Sequence, residues 1–244
     1  DLYIGGPEHA TGHLLYSRMW NNYLYDKKVV PVKEPFKKLV HQGMILGANG
    51  IKMGKRYPEF VVNPNDVVNE YGADTLRLYE MFMGPLEADK PWNNEGVVGS
   101  KRFLERVYRQ LIESDKVKDK ENKNLEQLYH ITVKKVTEDY ENLKFNTAIS
   151  SLMIFMNAVS KEEYISKEYA VGFIKLLYPI APFICEEMYS IIDGSLDTLT
   201  YAPWPTYNEE LTKLDTVTIA VSVNGKLRAT FEAEKDLEKD EILK

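Results

Sequence analysis

The apolar residues of this 244-residue chain change their period near residue 90, and that change limits the fold more than any other feature. Before it, short apolar runs at Leu2–Ile4, Leu39–Val40 and Met44–Leu46 read as strands separated by glycine turns and helix signals. Leu2–Ile4 reads as a buried strand, Gly5-Gly6 as a tight turn, and Pro7 as the first residue of a helix with Glu8 in its first turn. Asn63-Pro64-Asn65-Asp66 starts another helix, Gly72 stops it, and Asp74 caps the next, which ends at Gly84-Pro85. From Glu95 onward the period is helical, through Val98, Leu104, Val107 and Leu111, then Leu125, Leu128, Thr132, Val136, Tyr140 and Leu143. Asn146 is placed to cap a helix over Thr147–Ser160, and Tyr169–Ile192 reads as one helix kinked near Pro179 and Pro182. The charged stretch Asp115–Asn124 reads as a solvated connection, and Val217, Ile219, Val221 and Val223 alternate into Asn224-Gly225 as a hairpin that runs to Phe231. The expected fold class is α/β followed by all-α, with boundaries at 1–90, 91–212 and 213–244.

A hydrophobic content of 44% is enough for a buried core, and no apolar run approaches the roughly 20 residues of a membrane-spanning helix. We therefore expect a soluble protein. The single cysteine, Cys185, excludes an internal disulfide and a multi-cysteine zinc site, and suits a reducing, cytoplasmic setting. A net charge of −6 argues against a uniformly basic nucleic-acid coat, so any RNA contact must come from local patches.

Lys52-Met53-Gly54-Lys55-Arg56 follows Met44-Ile45-Leu46-Gly47 in a stretch punctuated by Gly47, Gly50 and Gly54. Lysine is a compact, flexible point charge that can follow phosphate as its charge develops, while glycine lets the backbone reorganise around a ligand. A solvated surface turn has the same composition. His9 and His13 stand four apart, as zinc ligands on a helix would, but the metalloprotease pattern needs glutamate after the first histidine and Ala10 stands there, so no bound metal is expected. Arg102, Arg106 and Arg109, with Lys101, fall on one edge of the first bundle helix and suit RNA phosphates; a solvated face paired with Glu105 and Glu113 is the other reading. Lys226 and Arg228, near the hairpin turn, form a second basic patch. Trp92 and Trp204-Pro205 read as packing anchors between modules.

The runs YIGGPEHATGHLLYSRMW, PFKKLVHQGMILG and VVNPNDVVNEYGADTLRLYEMFMGPLE resemble the late catalytic region of class I aminoacyl-tRNA synthetases, of the bacterial leucyl type. FNTAISSLMIFMNAV, LLYPIAPFICEEMY, APWPTY and VTIAVSVNGKLRATF extend the resemblance over essentially the whole chain, whereas the isoleucyl and valyl enzymes usually carry aspartate where Glu8-His9 stands. The resemblance implies the C-terminal part of a Rossmann-like catalytic domain, a helical anticodon-binding-type domain and the start of a small α+β module. It makes Lys52 and Lys55 the phosphate-handling pair of a KMSKS-type loop, with Met53 on the adenine side. It sets Gly5, Gly6, Glu8, His9, Met44 and Ile45 around ATP and the adenylate, and His9 and His13 around leucine. Gly54 and Arg56 replace the usual serines, and Tyr57-Pro58-Glu59-Phe60 lengthens the continuation. The implied substrates are leucine and ATP with Mg²⁺, and the implied partner is tRNA(Leu), with no membrane and no DNA. The HIGH half of the site and the editing domain are not in this sequence, so it reads as an inactive piece of a leucine-tRNA ligase. The alternatives are a non-catalytic RNA-binding protein with a degenerate nucleotide fold, or an isoleucyl, valyl or methionyl enzyme.

Overall fold

In the computed structural model, which describes residues 2–194, 197–213, 216–223 and 226–234, strands and helices alternate before residue 90 and helices dominate after it. β1 (Leu2–Gly5) pairs in parallel with β2 (Lys38–His41) in the register Leu2↔Lys38 to Gly5↔His41, and α1 (His13–Asp26) lies between them in sequence. β3 (Ile45–Leu46) is joined in parallel by β4 (Lys90–Pro91). α2 (Pro64–Tyr71) starts where Asn63 accepts the Asn65 N–H, with Pro64 in the first turn, and stops at Gly72, whose φ of +93° a side chain would resist. α3 (Ala73–Phe82) follows directly.

Two local expectations fail in this first part. Pro7 opens only a 3₁₀ turn, Pro7–Ala10, and the chain turns at Gly12 before α1 begins at His13. β1 is not buried: Leu2 and Ile4 are each 44% exposed, because pairing with β2 satisfies the backbone without covering these side chains.

The second part is a helical bundle. α4 (Asn94–Tyr108) runs into a single π turn, Arg109–Glu113. α5 (Lys123–Glu141), α6 (Phe145–Lys161), α7 (Lys167–Leu177) and α8 (Pro182–Asp193) complete it. The expected solvated connection holds more structure than its charge suggested. β5 (Val117–Lys118) pairs with β6 (Ile165–Ser166), Asn122 caps α5, and the Lys116 ammonium donates to the Val159, Ser160 and Glu162 carbonyls at the end of α6. Asn146 does not cap α6; it lies inside the first turn, after Leu143 at φ +57°. The expected kinked helix is two helices, because the chain leaves α7 before Pro179 and Pro182 restarts it as α8. Buried Leu152, Phe155, Met156, Phe173, Ile174 and Met188 lie in the bundle core. β7 (Thr216–Val223) and β8 (Lys226–Glu234) form an antiparallel hairpin whose register shifts so that Arg228 is the extra residue; the turn read at Asn224-Gly225 lies outside the described residues. Among the described residues no helix is long and apolar enough to cross a membrane.

Two cores meet along α3 and α4. Leu76 and Tyr79 join Val67, Trp92 and Val97 in a small cluster, while Leu78, Phe103, Leu104 and Val107 belong to the bundle core. Asp74 does not cap its own helix. Its carboxylate accepts from the Ile184 N–H at 2.7 Å and the Phe183 N–H at 3.4 Å, at the start of α8. One turn on, Arg77 donates to the Ile180 carbonyl at 2.9 Å and the Pro179 carbonyl at 2.8 Å, so α3 grips both sides of the break between α7 and α8.

Candidate nucleotide site and RNA-facing surface

A cleft of about 310 Å³ opens where β1's glycine turn, the approach to β3 and the segment before β4 converge. Gly6, Glu8, Met44 and Ile45 share its wall with Gln42, Gly43, Glu80, Met81, Asp89 and Lys90. Its floor depends on Gly43: a Cβ there would sit 2.1 Å from the Ala88 carbonyl carbon and oxygen. That close approach is held by hydrogen bonds from the Gly43 N–H to the Leu86 carbonyl, the Met44 N–H to the Asp89 carboxylate and the Lys90 N–H to the Met44 carbonyl. Burial pushes the Lys90 ammonium below its ordinary pKa, against the opposing charge of Glu87, and pushes the Glu80 carboxyl up, against Arg77. The cleft therefore offers carboxylates for hydroxyl or ammonium donors and one half-buried lysine for an anion.

Gln42, Gly43, Glu80, Asp89 and Lys90 were not picked out by the sequence reading. Gly43 just before a strand and Glu80 in the otherwise apolar Leu78–Phe82 run are signals that could have found two of them.

The lysine loop is tied to β3 at its base. Gly47 donates to the Ile51 carbonyl, Gly50 turns the chain at φ +75°, and Lys52 forms a bridge with Leu46. Lys52 and Lys55 are exposed, and neither has a carboxylate partner among the described residues. The Arg56 guanidinium lies over the Tyr57 ring at 5.5 Å. Met53 packs on the Val67–Trp92 cluster, and its sulfur accepts the Val62 N–H at 3.4 Å. Met53 thus anchors the middle of the loop while the two lysines stay free. None of Lys52, Met53 and Lys55 lines the cleft.

Gly5 is buried under the His9 ring, which comes within 3.4 Å of where its Cβ would be, and His9 is itself exposed beside Glu8. The 3₁₀ turn separates His9 from α1, so the two histidines do not share one helical face. His13 bonds the Tyr3 hydroxyl through Nδ1 at 3.1 Å and stacks on the Tyr3 ring, with Tyr16 edge-on. No group of three or more metal-ligating side chains occurs among the described residues.

The basic edge expected on α4 is divided. Arg106 turns into the bundle, donates to Asn157 at 2.8 Å and covers Phe103. Lys101 lies over the Tyr71 ring at 5.6 Å, and Arg109, on the π turn, lines a groove with Glu105, Glu113 and Phe183. Arg102 is exposed. The side chains of Lys226 and Arg228 lie outside the described residues. Trp92 is buried against Tyr79, and Trp204 packs on α5 through a hydrogen bond to Thr137.

Residues 23–93 match the family model of tRNA synthetases class I (I, L, M and V), and residues 122–243 match the anticodon-binding domain of tRNA ligase. A LeuRS of Agrobacterium radiobacter, solved in a ternary complex with tRNA and LeuAMS, superimposes with a TM-score of 0.76 at 34% sequence identity. That match covers 100% of this chain and 34% of the other, so the chain spans about a third of that relative's length. Half of the chain lies in the anticodon-binding match, and the strand-bearing part before it carries the synthetase match, so the chain belongs to the class I tRNA synthetases that include the isoleucyl, leucyl, methionyl and valyl enzymes.

Proposed function

We propose that this chain is part of a leucine-tRNA ligase, an enzyme that forms leucyl-adenylate from leucine and ATP and passes leucine to tRNA(Leu). The observation that carries the reading is the 34% identity to a LeuRS over the full length of this chain. In the activation step the leucine carboxylate attacks the α-phosphate and pyrophosphate leaves, so negative charge builds toward the β- and γ-phosphates. Lys52 and Lys55, exposed and without carboxylate partners, meet that charge from a loop whose base is fixed on β3. Mg²⁺ brought in with ATP would neutralise part of the same charge. The glycine turn at Gly5 and Gly6 and the carboxylate of Glu8, which lies over Gly6, suit the sugar side of the adenylate, and the cleft beside Met44 and Ile45 its base. In this reading His9 and His13 face the amino-acid side.

The exposure of α1 supports the further reading that this chain does not activate leucine by itself. α1 buries none of its residues, and Leu15, Tyr16, Met19 and Trp20 are each more than half exposed, the pattern of a helix that packs against more of a catalytic domain. The test is amino-acid-dependent exchange of pyrophosphate into ATP by the enzyme that contains this chain, run with leucine, isoleucine, valine and methionine. Leucine should give the highest kcat/KM. A preference for any of the other three overturns the leucine assignment, and leucine-dependent exchange by the 244-residue chain alone overturns its dependence on further domains.

A further inference from the structure

Behind the cleft, on the bundle side of α3, lies a cavity of about 640 Å³, within the roughly 300–1,000 Å³ of small-molecule sites. Its walls are mostly apolar, and three aromatic rings stand along them in series. The Trp204 and Tyr140 centroids are 6.0 Å apart, as are those of Tyr140 and Phe145. Two of the rings are fixed by hydrogen bonds: Trp204 donates to Thr137 Oγ1, on the same wall, at 2.9 Å, and Tyr140 to the Leu176 carbonyl at 2.9 Å. The charged groups on the wall are Glu80, Glu141 and Arg77. The guanidinium of Arg77 is spent on the Pro179 and Ile180 carbonyls, whereas neither carboxylate has an ion-pair partner among the described residues.

We propose that this cavity is a second ligand site, selective for a small organic ammonium with an aromatic or aliphatic body. Aromatic ring faces attract a cation, and the two carboxylates outnumber the single charge that Arg77 keeps, which adds to the same preference and disfavours an anion or a neutral isostere. The apolar body of such a ligand replaces water against Phe145 and Met81. Glu80 and Met81 line both this cavity and the cleft beside the glycine turn, so an occupant would stand one side chain away from the candidate nucleotide site. The inference rests on the cavity alone and does not depend on which amino acid the enzyme activates.

The test uses the whole chain and two probes of nearly equal shape, phenethylammonium and 2-phenylethanol. Binding is read from the indole N–H resonance of Trp204, assigned by its loss in Trp204→Phe. Phenethylammonium should shift that resonance saturably, half-maximal at about 1–10 mM as suits so small a ligand, and 2-phenylethanol should bind about tenfold more weakly. The double variant Glu80→Gln with Glu141→Gln should reduce the difference between the probes to less than about twofold. Equal binding of the two probes by the unmodified chain overturns the cation selectivity, and no saturable shift overturns the site. The unmodified chain answers both questions even if the double variant folds poorly.

Discussion

Lys55 carries the most direct residue-level consequence. If it meets charge that develops only in the transition state, Lys55→Ala in the enzyme containing this chain should lower leucine-dependent pyrophosphate exchange by about 10²–10³, with a smaller loss for Lys52→Ala. A near-normal rate would move the phosphate role to Arg56 or Lys90. Asp74 makes a different prediction. Burial holds its carboxyl above the ordinary value, against the hydrogen bonds from α8 and the charge of Arg77. Folding therefore favours its protonated form; that contribution is fully present below about pH 4 and is lost as pH rises through the raised native value. Asp74→Asn, neutral throughout with an acceptor oxygen kept, should gain in melting temperature over the unmodified chain between about pH 4 and 7. Asp74→Ala leaves the α8 N–H groups without their acceptor and should cost about 1–3 kcal/mol in urea unfolding at any pH. The lysine loop was legible in the sequence because its meaning is local. Asp74 was misread because its partners Phe183 and Ile184 are 109 and 110 residues away, and spacing rules see only neighbours.

At the level of helices, α5 and α7 are matched to each other through one pair of residues. Tyr129 stacks on Tyr169 at 4.4 Å, and its hydroxyl occupies the place of a missing side chain: a Cβ on Gly172 would lie 1.9 Å from it. Gly172→Ala should destabilise by about 1–3 kcal/mol through overpacking, lowering the melting temperature by several degrees. Adding Tyr129→Phe removes the closest atom, so the double variant should recover part of the loss in thermal denaturation; no recovery would mean that the ring rather than the hydroxyl sets the spacing. Helix existence was readable here from periodicity, since the stripes through Leu125 and Val136 do face the core. Helix ends were not. Asn63 acts as a cap with Pro64 behind it, whereas Asn146 loses that role to the turn at Leu143 and Lys144. Two prolines three residues apart proved a full break because Arg77 pulls the freed carbonyls of Pro179 and Ile180 toward α3.

The molecule as a whole combines 31 lysines and arginines with a net charge of −6, so RNA binding, if it follows the family, must be local and salt-sensitive. Arg102 and Arg109 stay free of carboxylates among the described residues, whereas Arg106 is bound to Asn157. Charge removal at Arg102 or Arg109 should reduce the log–log salt slope of tRNA binding by about 0.7–0.9 each, while Arg106→Gln should change thermal stability more than the slope. Unchanged slopes for the first two would make them a solvated face. The change of architecture near residue 90 was visible in the apolar period, but the packing does not stop there, since α3 and α4 each contribute to both cores. That sharing has a mechanical result. α3 is a rod of about 15 Å, clamped to the bundle by Asp74 in its first turn and by Arg77 at its middle, and carrying Glu80 and Met81 into the cleft near its end. Met81 stands about 10 Å along the helix from Asp74, so a tilt of roughly 6° about Asp74 displaces it by about 1 Å, and the bundle cannot swing without resizing the cleft.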